Sequence, residues 1–179
     1  GTSTITYLDI NGCQQTVIVT VNDLPVISGN MTVCLGFPLQ LTATGTPDVT
    51  APWASSNPGV GTVDNTGAVT GIATGMTTIT YTDVNGCQNT MDITVNPIPV
   101  IGTVQTPLTA CDANDGIITV SDASGSTGTV NWNGDATGTS GVIALPFNIT
   151  GLAPGVYSVT FTDDATGCTS IVWQETFIN

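Results

Sequence analysis

The sequence predicts an all-β protein built from tandem β-sandwich modules. Three observations carry that expectation. Thr, Val and Ile dominate the chain and favour strands, while Gly, Asn, Asp and Pro punctuate it with turns. Several segments alternate apolar and polar residues with a period of two, the mark of a half-buried strand. A long internal repeat then divides the chain into modules. No segment sustains a helical period.

The repeat begins at the N-terminus. Gly1–Ser28 aligns without a gap with Gly75–Gly102, an offset of 74 residues. Ile5 matches Ile79, Tyr7 matches Tyr81, Asp9 matches Asp83, Cys13 matches Cys87 and Val21 matches Val95. That period is too long for a solenoid unit. It suits a small immunoglobulin-like sandwich, somewhat under the usual ~100 residues. Residues 1–23 are therefore expected to be the closing strands of a module whose front half lies outside this sequence. Residues 24–96 read as a complete module. In "TTITYTD", Ile79 and Tyr81 face one way and Thr78, Thr80 and Thr82 the other. In "MDITV", Met91, Ile93 and Val95 alternate with Asp92 and Thr94. "NPIPVIG" is a stiff, extended Pro-bearing junction. Residues 97–179 read as a second complete module of another subtype, in which Tyr157, Val159 and Phe161 alternate with Ser158, Thr160 and Thr162.

Each module end carries a Gly-Cys pair after an acidic residue: "YLDINGCQQT", "YTDVNGCQNT" and "FTDDATGCTS". Asn11-Gly12 and Asn85-Gly86 are strong hairpin signals, because both positions favour positive φ. Thr166-Gly167 serves a longer version. Each complete module has one more cysteine near its start, Cys34 or Cys111. The separations are alike, 53 residues for Cys34–Cys87 and 57 for Cys111–Cys168. This predicts one disulfide in each module, which would stabilise it by roughly 4 kcal/mol in the chain-entropy model. The alternative is buried free thiols. Disulfides imply an oxidising, extracellular setting. Cys13 has no partner within the chain and is expected to bond inside the absent front half of its own module.

Composition excludes several functions. The chain has 13 acidic residues, no Lys, Arg or His, and a net charge of −13. Nucleic acid is excluded as a partner, since phosphate neutralisation needs Lys or Arg. Anionic membrane surfaces are excluded on the same ground, and no apolar run is long enough to insert into a bilayer. Without His or Lys there is no imidazole or amine base, so the chain is not expected to be an enzyme and no catalytic residue is assigned. No cofactor is required.

Two ligand sites remain as candidates. Asp112, Asn114 and Asp115 form an oxygen-rich loop, and Asp163 and Asp164 would approach it if Cys111 and Cys168 were bonded. Calcium is the cation such a group would take. The competing reading is a set of turn-forming carboxylates. Trp132 is the candidate for stacking on a surface glycan, against a core role in its sandwich.

The middle module resembles the bacterial immunoglobulin-like group 2 repeat. The residues that carry the resemblance are Leu39 and Leu41, Trp53 with Ser55-Ser56-Asn57, Val60, Val63, Gly67-x-Val69-x-Gly71 and Gly75-x-x-x-Ile79. The last module resembles the SprB-type repeat of cell-surface adhesins in gliding Bacteroidota. There the residues are "CDANDGIITV", "VNWNG" and "ITGLAPGVYSVTFTDDATGCTS", with a longer insertion over Gly134–Asn148. The resemblance implies a stalk segment of a long secreted adhesin or filament at the cell surface. Its partners would be other modules of the same chain, homotypic fibre contacts, or a glycan or substratum. A carbohydrate- or calcium-dependent binding module is the alternative function, and a subunit of a strand-exchanged fibre is a third.

Overall fold

The computed structural model describes residues 1–111, 113–122 and 126–178, and every regular element among them is a strand. The chain divides into two compact units, Gly1–Val95 and Asn96–Asn179.

The first unit opens with β1 (Thr2–Leu8) and β2 (Gln14–Thr20), which among the described residues pair only with each other, as an antiparallel hairpin. There follow β3 (Ile27–Ser28), β4 (Thr32–Cys34), β5 (Pro38–Gln40), β6 (Thr42–Ala43), β7 (Trp53–Ser55), β8 (Gly61–Val63), β9 (Ala68–Gly71), β10 (Gly75–Thr82) and β11 (Gln88–Asn96). A four-stranded sheet in the order β4-β11-β10-β7 faces the three-stranded β5-β9-β8, with β3-β6 as a short extra pair. The alternation read from the sequence sets the inward face. Ile79, Tyr81, Ile93 and Val95 are buried with Leu41, Trp53 and Val69. The Trp53 and Tyr81 rings lie 4.7 Å apart. Gly67, at φ +86°, closes the β8–β9 turn beneath this core. A Cβ there would sit 2.6 Å from the Leu41 carbonyl oxygen, so a side chain is excluded by space as well as by backbone conformation.

The second unit contains β12 (Ile101–Thr106), β13 (Gly116–Asp122), β14 (Thr127–Asn133), β15 (Gly138–Ala144), β16 (Phe147–Leu152), β17 (Gly155–Asp163) and β18 (Trp173–Phe177). They form a sandwich of β12-β13-β16 and β15-β14-β17-β18. Its core contains Ile118, Val120, Val130, Tyr157, Val159 and Phe161. The insertion flagged in the sequence supplies β15 and the start of β16.

The cysteines depart from the disulfide expectation. Cys13, Cys87 and Cys111 are free thiols, so neither the Cys34–Cys87 nor the Cys111–Cys168 bond is made. Cys34 and Cys168 are themselves in disulfide form. Strand direction explains the mismatch. The Cys34 carbonyl oxygen and the Val95 side chain both crowd Gly71, placing Cys34 at the Val95 end of β11. Cys87 precedes the other end. Eight residues at ~3.3 Å each separate the two by roughly 26 Å, and a disulfide needs Cα atoms within about 7 Å.

The second unit repeats the geometry. Gly116 packs against Phe177, which pairs with Gly155 at the start of β17. The Cys168 carbonyl accepts a hydrogen bond from the Asp163 amide at the far end of β17. Cys13 is exposed and has no bonding partner among the described residues of this chain.

Candidate functional site

The three acidic Gly-Cys motifs are built alike and are turn devices. In the β10–β11 turn the Asp83 amide donates to the Cys87 carbonyl at 3.0 Å, and the Gly86 amide to the Asp83 carbonyl at 3.0 Å. Asp83 Oδ1 accepts from the amides of Asn85 at 2.9 Å and Cys87 at 2.8 Å. Asp9 makes the same bonds to Asn11 at 2.9 Å and Cys13 at 2.8 Å. Asp163 does so in a turn one residue longer, accepting from the Thr166 amide at 2.9 Å and hydroxyl at 2.6 Å. Gly12, Gly86 and Gly167 all have positive φ. The loop is five residues in the first two copies, longer than the two-residue turn that Asn-Gly signals. The carboxylate, rather than Asn-Gly alone, holds it.

Among the described residues the acidic group expected for calcium is not assembled. Asp115 turns back on its own loop and accepts from the Thr109 hydroxyl and, at 3.2 Å, from the Thr109 amide. These bonds hold its carboxyl below the usual carboxylate range, the hydroxyl bond most strongly. Asn114 is exposed beside it. Asp112 lies outside the described residues. Asp163 and Asp164 stand at the other end of the sandwich, by the strand-length argument given for Cys111 and Cys168. Asp164 uses its amide to bond the Thr127 carbonyl at 3.0 Å. Among the described residues no cluster of three or more Asp, Glu, Cys or His side chains is placed to hold a metal ion.

Trp132 is half-buried and packs against the core of the second unit. Phe147 flanks its ring at 6.2 Å. Gly138 presses on the indole so closely that a Cβ there would lie 2.3 Å from Cζ2. The indole borders a shallow groove with Asn131, Asn133 and Thr160. Trp53 is buried, and Trp173, on the edge strand β18, is 37 % exposed.

Sequence reasoning missed the clamp between first and last strands of the middle module. The Asn89 side-chain amide donates to the Pro25 carbonyl at 2.8 Å. The Thr94 amide donates to the Met31 carbonyl at 2.9 Å. Both partners advance together along the chain, so the opening segment runs parallel to β11. In the second unit Thr103 of β12 bonds Glu175 of β18, and the Gln105 side chain bonds the Thr176 carbonyl at 3.1 Å. Pairing of ends far apart in sequence leaves no local signal.

The all-β fold of the middle module agrees with a family match. Residues 26–93 match the family model described as bacterial Ig-like domain (group 2), so the chain contains an Ig-like domain. A lacto-N-biosidase of Bifidobacterium bifidum is 40% identical over 80 residues, which are 43% of this chain and 7% of that enzyme. The chain thus spans a small fraction of the relative it matches. Among solved structures, the S-layer protein rSbsC(31-844) is similar over 99% of this chain and 34% of its own, at 18% identity and a TM-score of 0.38. The PcdhgB3 EC1-4 structure is similar over 98% and 63%, at 12% identity and a TM-score of 0.33.

Proposed function

We propose that this chain is a structural or adhesive stalk segment of a secreted bacterial cell-surface protein. Its modules are 1–23, the closing strands of an Ig-like module; 24–96, a complete group 2 module; and 97–179, a SprB-repeat-like sandwich. The observation that carries the reading is the clamp between first and last strands. When the two ends of the middle module are pulled apart, parallel first and last strands slide past each other in shear. The bonds between them then share the load instead of opening one at a time. The match of residues 26–93 to a bacterial Ig-like family supports a modular extracellular role. The sequence resemblance of the last module to adhesin repeats of gliding bacteria supports placement in a long surface adhesin or filament. Its partners there are neighbouring modules, a fibre contact or the substratum.

Single-molecule stretching of the full chain, with Cys34 and Cys168 held reduced, tests this. Two discrete unfolding events are expected, one for each complete module. Asn89→Ala deletes one clamp bond and leaves the β10–β11 ladder intact, so it should lower the force of one event and not the other. Extension with no discrete event would overturn the proposal.

A further inference from the structure

The β1–β2 hairpin duplicates β10–β11 in pairing but not in surroundings. Thr2 pairs with Thr20 and Ile5 with Val17, as Met76 pairs with Thr94 and Ile79 with Met91 at an offset of 74 residues. The turn bonds are the same to within 0.1 Å for Asp9 and Asp83. Burial is inverted. Ile79, Tyr81, Ile93 and Val95 are at most 2 % exposed, whereas Ile5, Tyr7, Val19 and Val21 are 55, 69, 38 and 66 % exposed. A two-stranded ribbon with an open apolar face is marginal by itself, and such a face marks an interaction surface.

The same chain shows what covers this face. On β10–β11 the cover is Leu41, Trp53 and Val69. The β10 edge is taken by β7, with Tyr81 opposite Trp53 and Ile79 opposite Ser55. The outer edge of β11 is taken by β4. In the hairpin neither corresponding edge is paired among the described residues. The unmet requirements are thus one apolar cover and two edge strands, in the positions that the front half of a group 2 module fills.

We infer that the Ile5, Tyr7, Val19 and Val21 face docks a set of Ig-like front strands patterned like Leu24–Thr74, supplied ahead of the hairpin on the same polypeptide. The strands seat a Trp against Tyr7 as Trp53 seats against Tyr81, and they pair both open edges. The inference rests on the tandem-module reading but fails separately from it, because the two complete modules resist force whether or not the hairpin is covered.

The test joins a second copy of Leu24–Thr74 directly to Gly1 of the full chain and measures amide hydrogen exchange. Residues 2–20 are compared with Met76–Thr94, which serve as the internal standard. Exchange in β1–β2 is expected to slow by at least about 100-fold and to approach that of β10–β11. Ile5→Asp in the extended chain should restore fast exchange while the standard stays protected. Unchanged exchange of residues 2–20 in the extended chain, with the standard protected, would overturn the inference. So would protection of β1–β2 in the unextended chain together with a dimer in sedimentation, since a second copy would then be the occupant.

Discussion

Asp9, Asp83 and Asp163 do one job in three turns, and the job is conformational. Each carboxylate collects the amides of a tight loop, which holds the acidic residue, the Gly and the Cys at fixed spacing. Asp83 is 4 % exposed, so its loss is not made good by water. Asp83→Ala leaves the amides of Asn85 and Cys87 short of an acceptor and should cost about 1–3 kcal/mol. Asp83→Asn keeps a side-chain oxygen and should cost less. Urea titration followed by the NMR signals of Ile79 and Ile93 would read both. A loss below about 0.5 kcal/mol for the alanine variant would count against this role. The turns were legible in the sequence from Asn-Gly and Thr-Gly. The acceptor was only partly legible, since turn-forming carboxylates are the competing reading at Asp112, Asp115, Asp163 and Asp164 and are not expected at Asp9 or Asp83. An acidic residue two positions before Asn is an ordinary surface residue until the amides that point at it are seen.

At the scale of elements, long strands could be read and short ones could not. The alternation of β10, β11 and β17 spans eight or nine residues, and the buried positions follow it. The front half of the middle module uses strands of two to four residues, such as β3, β6 and β8, where a period of two has no room to show. The direction of the opening strand had no local signature either, and that is where the disulfide expectation failed. Similar spacings in two modules recorded a shared topology, and the shared topology holds the paired positions at opposite ends. The consequence is chemical. Iodoacetamide under denaturing, nonreducing conditions should label Cys13, Cys87 and Cys111 and leave Cys34 and Cys168 unlabelled, as read by mass spectrometry of peptic peptides. Recovery of a Cys34–Cys87 peptide pair would reverse the correction. The calcium grouping fails for the same geometric reason, because it depended on the Cys111–Cys168 bond to bring Asp115 beside Asp163.

For the whole molecule, charge composition has an energetic corollary. With no Lys, Arg or His, alkaline pH removes no stabilising side-chain cation. It can only add negative charge to a chain already at −13. Two tyrosines anchor the two cores. Tyr81 is 2 % exposed and donates to the Gly45 carbonyl at 3.3 Å, and Tyr157 is fully buried and donates to the Ala153 carbonyl at 3.2 Å. Burial pushes both phenols above their ordinary value, with Asp83 adding to the rise at Tyr81 and Asp135 at Tyr157. A folded pKa above the unfolded one means that folding holds the proton. The associated stability is complete below the unfolded value of about 10 and is lost as pH rises through the folded value. The urea midpoints of both modules should therefore fall above about pH 10, as phenolate is forced into apolar surroundings. Tyr81→Phe should blunt that fall in the middle module and leave the second module's fall unchanged. Both modules carry the same device on unrelated strand sequences, so a fall confined to one of them would count against it. A fall in the middle module that survives Tyr81→Phe undiminished would assign the alkaline limit to charge repulsion instead.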